Sequence, residues 1–339
     1  MISFIRQKYT PYGGAERYLE RLTKVLKEKD IDFEIIHANF PNWLPSWIKA
    51  LLFNRQICSK KNKKFYFSLD RIACPDIYRA GDGVHKEFLK TKGISLNPLH
   101  LTYLYLEKKA FLNAKKIIAN SNMIKDQILK NYNVPPEKIV VIYNGIEIKE
   151  FDKIESRVLL SKEFGIDKDI KIILYAGSGF KRKGVVEFLQ TLALLESDFH
   201  AFVLGKEKNI SKYKKMAKDL GIDAKVTFTG PRKDIDYFYA ASDIFLFPTH
   251  YEPFSNVVLE AMSFENVTFT TAQNGASEIL PKEFILKKPK DFSVAKKIDL
   301  FLKDEEKLNK TQKKMREISK NFTIEKNVQK TLEVIYELV

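Results

Sequence analysis

The sequence predicts an α/β protein built from two Rossmann-like, doubly wound halves. Three observations predict it. Short runs of continuous apolar residues recur along the chain, as strands buried on both faces require. Segments of helical periodicity fill the gaps between them. The alternation closes near residues 147–154 and then restarts, and a length of 339 residues suits two domains. The expected division is 1–150, 151–315 and a closing helical segment, 316–339.

In order, residues 1–6 read as a first buried strand. K-Y-T-P-Y-G-G-A-E-R-Y follows, then helical spacing through Leu19, Leu22 and Leu26. Gly13 and Gly14, at a strand-to-helix turn, let the backbone come close to a ligand. Residues 33–37 form the second strand. Residues 42–64 hold both tryptophans, a dense apolar set and a basic flank. They suit an interfacial amphipathic helix on anionic lipid, or a core helix followed by a solvated basic loop. Residues 86–112, rich in Tyr, Leu and Lys, are a second membrane-facing candidate. Between them lies D-I-Y-R-A-G-D-G-V-H. Asp82, flanked by glycines, and His85 put an acid and an imidazole on a flexible loop, which suits acceptor chemistry. Residues 116–121 are a strand running into a helix over 122–132.

The second half opens with a strand at 171–176, then G-S-G-F-K-R-K-G. Arg182 and Lys183 at that glycine-rich strand end are placed to pair with diphosphate oxygens. A strand at 200–205 leads to Lys206, placed to join that clamp. A strand at 225–230, near the sheet edge, ends in the turn Gly230, Pro231, Arg232. The apolar run 244–247 is followed by T-H-Y-E-P-F-S-N-V-V-L-E-A-M. Pro253 breaks the chain and Ser255 or Asn256 caps a new helix. The amides of Phe254, Ser255 and Asn256 are expected to be unpaired at its positive end, ready for phosphate. Glu260 lies about 6 Å further along that helix, at the usual rise per residue. Glu252 sits in the turn. A ligand with its diphosphate at the helix start reaches one acid with each end, and ribose–diphosphate–sugar has that layout.

E-P-F-S-N-V-V-L-E resembles the E-x7-E motif of the retaining GT-B glycosyltransferases of family 4, in particular those that build lipopolysaccharide cores. The resemblance implies two facing Rossmann-like domains, with the last helix crossing back to the first. It implies that Glu260 takes the ribose hydroxyls and that Glu252 orients the donor sugar. It gives the diphosphate to Lys183, Arg182 and the Gly13–Gly14 loop, the nucleotide base to the turn at 230–232, and the acceptor side to Asp82 or His85. One departure stands out: the family's arginine falls about six residues before the lysine, where this chain has Gly177. The implied reaction moves a hexose, glucose foremost, from a nucleoside-diphosphate sugar such as UDP-glucose to a lipopolysaccharide-core or other envelope glycan. Neither cofactor nor metal is implied. A nucleotide-sugar 2-epimerase of the same fold and a non-catalytic membrane-associated binding protein are the alternatives.

Charge bears on partners. The net charge is +15, with 26 basic against 15 acidic residues in 1–150 and 32 against 28 in 151–339. The first half therefore favours anionic partners. Without a nucleic-acid motif, a glycolipid acceptor and an anionic membrane surface are expected rather than nucleic acid. Cys58 and Cys74 do not make a disulfide framework. No apolar run approaches the roughly 20 residues of a membrane span. The expected location is cytoplasmic, peripheral on the inner face of the cytoplasmic membrane.

Overall fold

The computed structural model describes residues 1–7, 14–93 and 95–338. The chain divides into two compact units, Met1–Asn144 with Ile324–Val339, and Gly145–Thr323.

The first unit runs β1 (Ile2–Ile5), α1 (Gly14–Glu28), β2 (Phe33–Ile36), α2 (Ser46–Ser59), β3 (Phe65–Ser68), β4 (Ile77–Arg79), α3 (His85–Lys92), α4 (Pro98–Asn113), β5 (Lys116–Ala119), α5 (Asn122–Asn131) and β6 (Ile139–Val141). Its six strands pair in parallel in the order β2-β1-β3-β4-β5-β6. Phe4, Phe67, Ile77 and Ile118 on the strands pack with Leu19, Leu22 and Leu26 of α1. The order reverses direction at β1, so the ends of β1 and β3 flank a switch point, where open α/β sheets take ligands.

The second unit runs α6 (Lys153–Phe164), β7 (Ile172–Ala176), α7 (Phe180–Lys183), α8 (Val185–Leu192), β8 (His200–Leu204), α9 (Ile210–Asp219), β9 (Val226–Gly230), α10 (Ile235–Ala241), β10 (Ile244–Phe247), α11 (Asn256–Ser263), β11 (Val267–Thr271), β12 (Ile285–Leu286), α12 (Val294–Lys303) and α13 (Glu305–Ser319). Its parallel sheet has the order β12-β11-β10-β7-β8-β9. β10 is buried throughout, between β7 and β11, which is why its sequence is apolar without alternation. Asp243, just before it, is the unit's buried ionic anchor. It binds Lys153 at 2.9 Å, Arg157 at 2.5 Å and the Ile172 amide at 2.9 Å.

The last helix, α14 (Ile324–Tyr336), belongs to the first unit. Val328, Leu332 and Ile335 enter the core of α1, and Thr331 Oγ1 lies 3.0 Å from Tyr18 Oη. Val328, Leu332 and Ile335 share one stripe of helical spacing, and burying that stripe holds the helix in place.

The cysteine expectation is corrected. Cys58, in the last turn of α2, is disulfide-bonded to Cys74 with their Cα atoms 5.8 Å apart, inside the span a bridge needs. The two cysteines therefore lend no support to the expected cytoplasmic location. Among the described residues no helix is long and apolar enough to cross a membrane.

Candidate donor site

The site of the second unit is built where β10 ends. Thr249 Oγ1 and the His250 amide both donate to the Arg182 carbonyl, at 3.3 and 2.9 Å. That ties the turn after β10 to the short helix α7. Glu252 is strapped from the other side. Its amide donates to Gln273 O at 3.1 Å, and the Gly275 amide donates to its carbonyl at 2.9 Å. The Glu252 side chain is nearly buried, and its Oε1 receives Arg182 Nη1 at 2.8 Å and Lys183 Nζ at 3.1 Å. Arg182 Nη1 also donates to Tyr251 O at 2.5 Å. Lys183 stands over the Phe247 ring, 5.6 Å from its centroid. Two cations thus meet one carboxylate oxygen four residues before the start of α11.

Glycines make this packing possible. Gly184, directly after Lys183, has φ +81°, and a Cβ there would fall 1.9 Å from the Pro248 carbonyl oxygen. Gly205, at the end of β8, would put a Cβ 2.1 Å from Gly177 O. Next to it Lys206 is exposed, its amide donating to Ser178 Oγ at 2.9 Å.

The helix start differs from expectation at the Ser255 amide. Ser255 is the N-cap of α11 but its side chain caps nothing. Its N–H donates to Asn274 Oδ1 at 3.2 Å, and that oxygen also accepts from the Ala276 amide. Asn274 is fully buried, with Nδ2 donating to Thr270 Oγ1 at 3.0 Å. The loop after β11 therefore supplies the cap, and the Ser255 amide is spent inside the protein. Phe254 is buried, and Asn256 opens the helix.

Glu260, half-buried on α11, accepts from Tyr239 Oη at 3.2 Å on its Oε2. Burial, then the Glu260 carboxylate, pushes the Tyr239 phenol far above its ordinary range, so it stays protonated and donates to Glu260. At the carboxyl end of β9, Gly230 closes the strand, its carbonyl accepting from the Gly205 amide at 3.0 Å, and Pro231 is exposed. Arg232 is held by Glu163 at 2.7 Å and Asp234 at 2.6 Å, which raises its pKa further. Sequence reasoning missed Tyr239 and Asn274, and also the pair His250–Glu187. There His250 Nε2 lies 3.0 Å from Glu187 Oε1 while Glu187 Oε2 is buried without a partner among the described residues.

In the first unit Gly13 lies outside the described residues, and Gly14 begins α1. Asp82 is exposed, with Oδ2 3.7 Å from Arg71 Nη1. His85 opens α3, not a loop, and is buried with Nε2 3.0 Å from His100 Nδ1. Burial, then the Arg71 and His100 charges, takes its pKa down to about 4.

Comparison with known proteins turns this geometry into a family. Residues 157–322 match the family "Glycosyl transferases group 1", and residues 17–150 match "Glycosyltransferase Family 4". The chain is a family 4 glycosyltransferase. Lipopolysaccharide glucosyltransferase WaaG of Escherichia coli is 25% identical over 81% of both chains. An uncharacterized glycosyltransferase of Methanocaldococcus jannaschii is 29% identical over half of this chain, which spans 45% of that protein. In structure, the crystal form of WaaG superposes with a TM-score of 0.83 over 99% of both chains at 19% identity. Anabaena HepE in complex with UDP-glucose gives 0.78 over 99% of both at 19% identity. The two parallel six-stranded sheets are those of a GT-B glycosyltransferase.

Proposed function

We propose that this family 4 glycosyltransferase moves a hexose, glucose foremost, from UDP-glucose to a lipid-carried envelope glycan such as a lipopolysaccharide core. The observation that carries the reading is the convergence of Arg182 and Lys183 on Glu252 at the start of α11, with Glu260 one turn further. Arg182, Lys183 and Lys206 take the diphosphate; the Ser255 amide, bound to Asn274, does not. Two fixed cations stabilise negative charge as it grows on the leaving diphosphate. Glu252, anchored at backbone and side chain, orients the sugar hydroxyls. Glu260, aligned by Tyr239, takes the ribose. Backbone groups at Gly230, Pro231 and Arg232 meet the base. On the acceptor side Asp82 is favoured over His85, because its carboxylate is exposed while the His85 ring is buried against His100. That HepE, of the same fold, is known with UDP-glucose and that WaaG is a glucosyltransferase supports the choice of donor.

Isothermal titration with UDP and UDP-glucose tests the donor reading. Glu260→Ala and Lys183→Ala should each weaken UDP by at least tenfold, about 1.4 kcal/mol. Unchanged affinity in both variants refutes it.

A membrane surface is the proposed platform. Trp43 at 79% exposure and the exposed Leu51 and Leu52 of α2 lie in the same unit as the exposed Leu101, Tyr105 and Leu112 of α4, and α2 packs on α4. The exposed basic residues Arg55, Lys60, Lys108 and Lys109 stand among them. Apolar side chains beside cations suit anionic lipid. Co-sedimentation with phosphatidylglycerol vesicles but not phosphatidylcholine vesicles is expected, and equal binding to both, or to neither, counts against it.

A further inference from the structure

Glu107 of α4 is a fully buried carboxylate that the donor chemistry does not use. Three elements supply its partners. Arg71 Nε donates to Oε2 at 3.1 Å, and the His85 amide donates to the same oxygen at 2.7 Å. Tyr132 Oη donates to Oε1 at 2.6 Å. These are the hydrogen bonds a carboxylate removed from water needs.

Arg71 extends this anchorage to the loop that precedes α3. Its Nη2 donates to Gly83 O at 3.4 Å, and its Nη1 lies 3.7 Å from Asp82 Oδ2. Its guanidinium stands 5.2 Å from the centre of the Tyr103 ring. Arg71 and Glu107 together therefore grip the segment 81–85 at the Asp82 carboxylate, the Gly83 carbonyl and the His85 amide. The segment needs the grip. Gly83 has φ +74°, Asp82 stands between two glycines, and its side chain is 60% exposed against 10% for Arg71. Among the described residues Arg71 is the cation within ion-pair distance of this exposed carboxylate, and Arg6 acts on it from further away. The flat fork of an arginine reaches Glu107 and Asp82 from different edges, which a lysine's single ammonium cannot do.

We propose that Arg71 and Glu107 are positioning residues for transfer: Glu107 fixes Arg71, and Arg71 aims the Asp82 carboxylate at the acceptor hydroxyl. This rests on the reading of Asp82 as the acceptor-side acid. Neither residue is placed against substrate; each acts through Asp82.

A double-mutant cycle tests it. The rate of UDP release from UDP-glucose is measured with and without an envelope glycolipid fraction, for the full chain and for Arg71→Lys, Glu107→Gln, Asp82→Asn and both pairings with Asp82→Asn. Circular dichroism and UDP affinity serve as controls of folding and of the donor site. Asp82→Asn should slow release by about 100-fold, the lower range for a positioned acid or base. Arg71→Lys should lower kcat by roughly tenfold, as a misplaced group does, with UDP affinity unchanged. In the Asp82→Asn background neither Arg71→Lys nor Glu107→Gln should slow it further. A full additional loss in the double mutant would make Arg71 a merely structural residue and overturn the positioning role, leaving Asp82 in place. An Asp82→Asn rate equal to that of the parent removes the acceptor-side reading and the positioning role with it. Should Arg71→Lys fail to fold, Glu107→Gln, which keeps the buried shape, completes the cycle alone.

Discussion

Protonation of His85 should loosen the first unit well before general acid denaturation begins. The ring is 7% exposed, 3.0 Å from His100, with Phe88, Tyr103 and the Arg71 cation around it. Burial first, then Arg71, His100 and Lys92, lowers its pKa to about 4, against roughly 6.5 in an unfolded chain. As pH falls, the unfolded chain takes the proton first. The stability contributed by the neutral ring is therefore complete above about pH 6.5 and is lost as pH falls toward 4. At pH 5 the unequal proton binding amounts to roughly 2 kcal/mol. Both tryptophans, Trp43 and Trp47, belong to the first unit, so urea unfolding followed by their fluorescence reports on that unit. The protein and its His85→Gln variant are compared at pH 8, 6.5 and 5. The variant should start lower at pH 8, for lack of the ring's packing, and the two midpoints should converge by pH 5. If the parent loses no more stability between pH 8 and 5 than the variant does, the buried neutral pair is the wrong account.

Three further outcomes follow from the second unit. Gly184→Ala should destabilise that unit by about 3 kcal/mol, combining a left-handed alanine with a collision at the Pro248 carbonyl, and should weaken UDP because Lys183 is the preceding residue; a thermal melt and a UDP titration read both. Asp243→Asn should cost about 3 kcal/mol by leaving Lys153 and Arg157 without their shared carboxylate. The pKa of Asp243 is depressed, against burial, by those two cations and the Ile172 amide, so its contribution is present above about pH 4 and lost below it; the parent and the variant should therefore approach each other in urea midpoint only in strong acid. Tyr239→Phe, which removes the hydroxyl bonded to Glu260, should weaken UDP by about 1 kcal/mol, roughly fivefold, in titration calorimetry.

What could be read from the sequence, and what could not, divides by range. β7, β8 and β10 announce themselves because strands buried on both faces are continuous apolar runs. The strand–turn–helix that carries Glu252 and Glu260 is legible because its three parts follow one another without interruption. β12 is only two residues long and left no pattern. β3 follows a lysine-rich run that reads as a solvated loop. Cys58 and Cys74 are neighbours only because β3 folds the chain between them back beside α2. The Ser255 amide finds Asn274, 19 residues on, across a crossover that local capping rules do not see. Glu107 sits in Y-L-Y-L-E-K-K-A-F, where a glutamate before two lysines reads as surface, and its three partners come from residues 71, 85 and 132.

Glu252, Glu107 and Asp243 are all nearly or fully buried carboxylates held by arginine, so burial alone cannot tell a working acid from a structural one. The difference lies in what their partners have left to give. Asp243 spends both oxygens, and Arg157 spends its Nη1 on the Lys168 and Ile170 carbonyls. Glu107 also spends both, and Arg71 is 10% exposed and committed to the loop before α3. At Glu252 both cations crowd one oxygen, and Arg182 remains 34% exposed. Among the described residues Arg182 bonds the protein only through Nη1, which leaves Nε and Nη2 of its fork, and Lys183 has given one of three ammonium donors. On the proposed donor reading, an incoming diphosphate would bond to these donors without displacing Glu252, and the carboxylate between the cations would moderate how tightly the product is held. Release of the spent nucleotide demands that moderation, and a site made of unopposed cations would lack it.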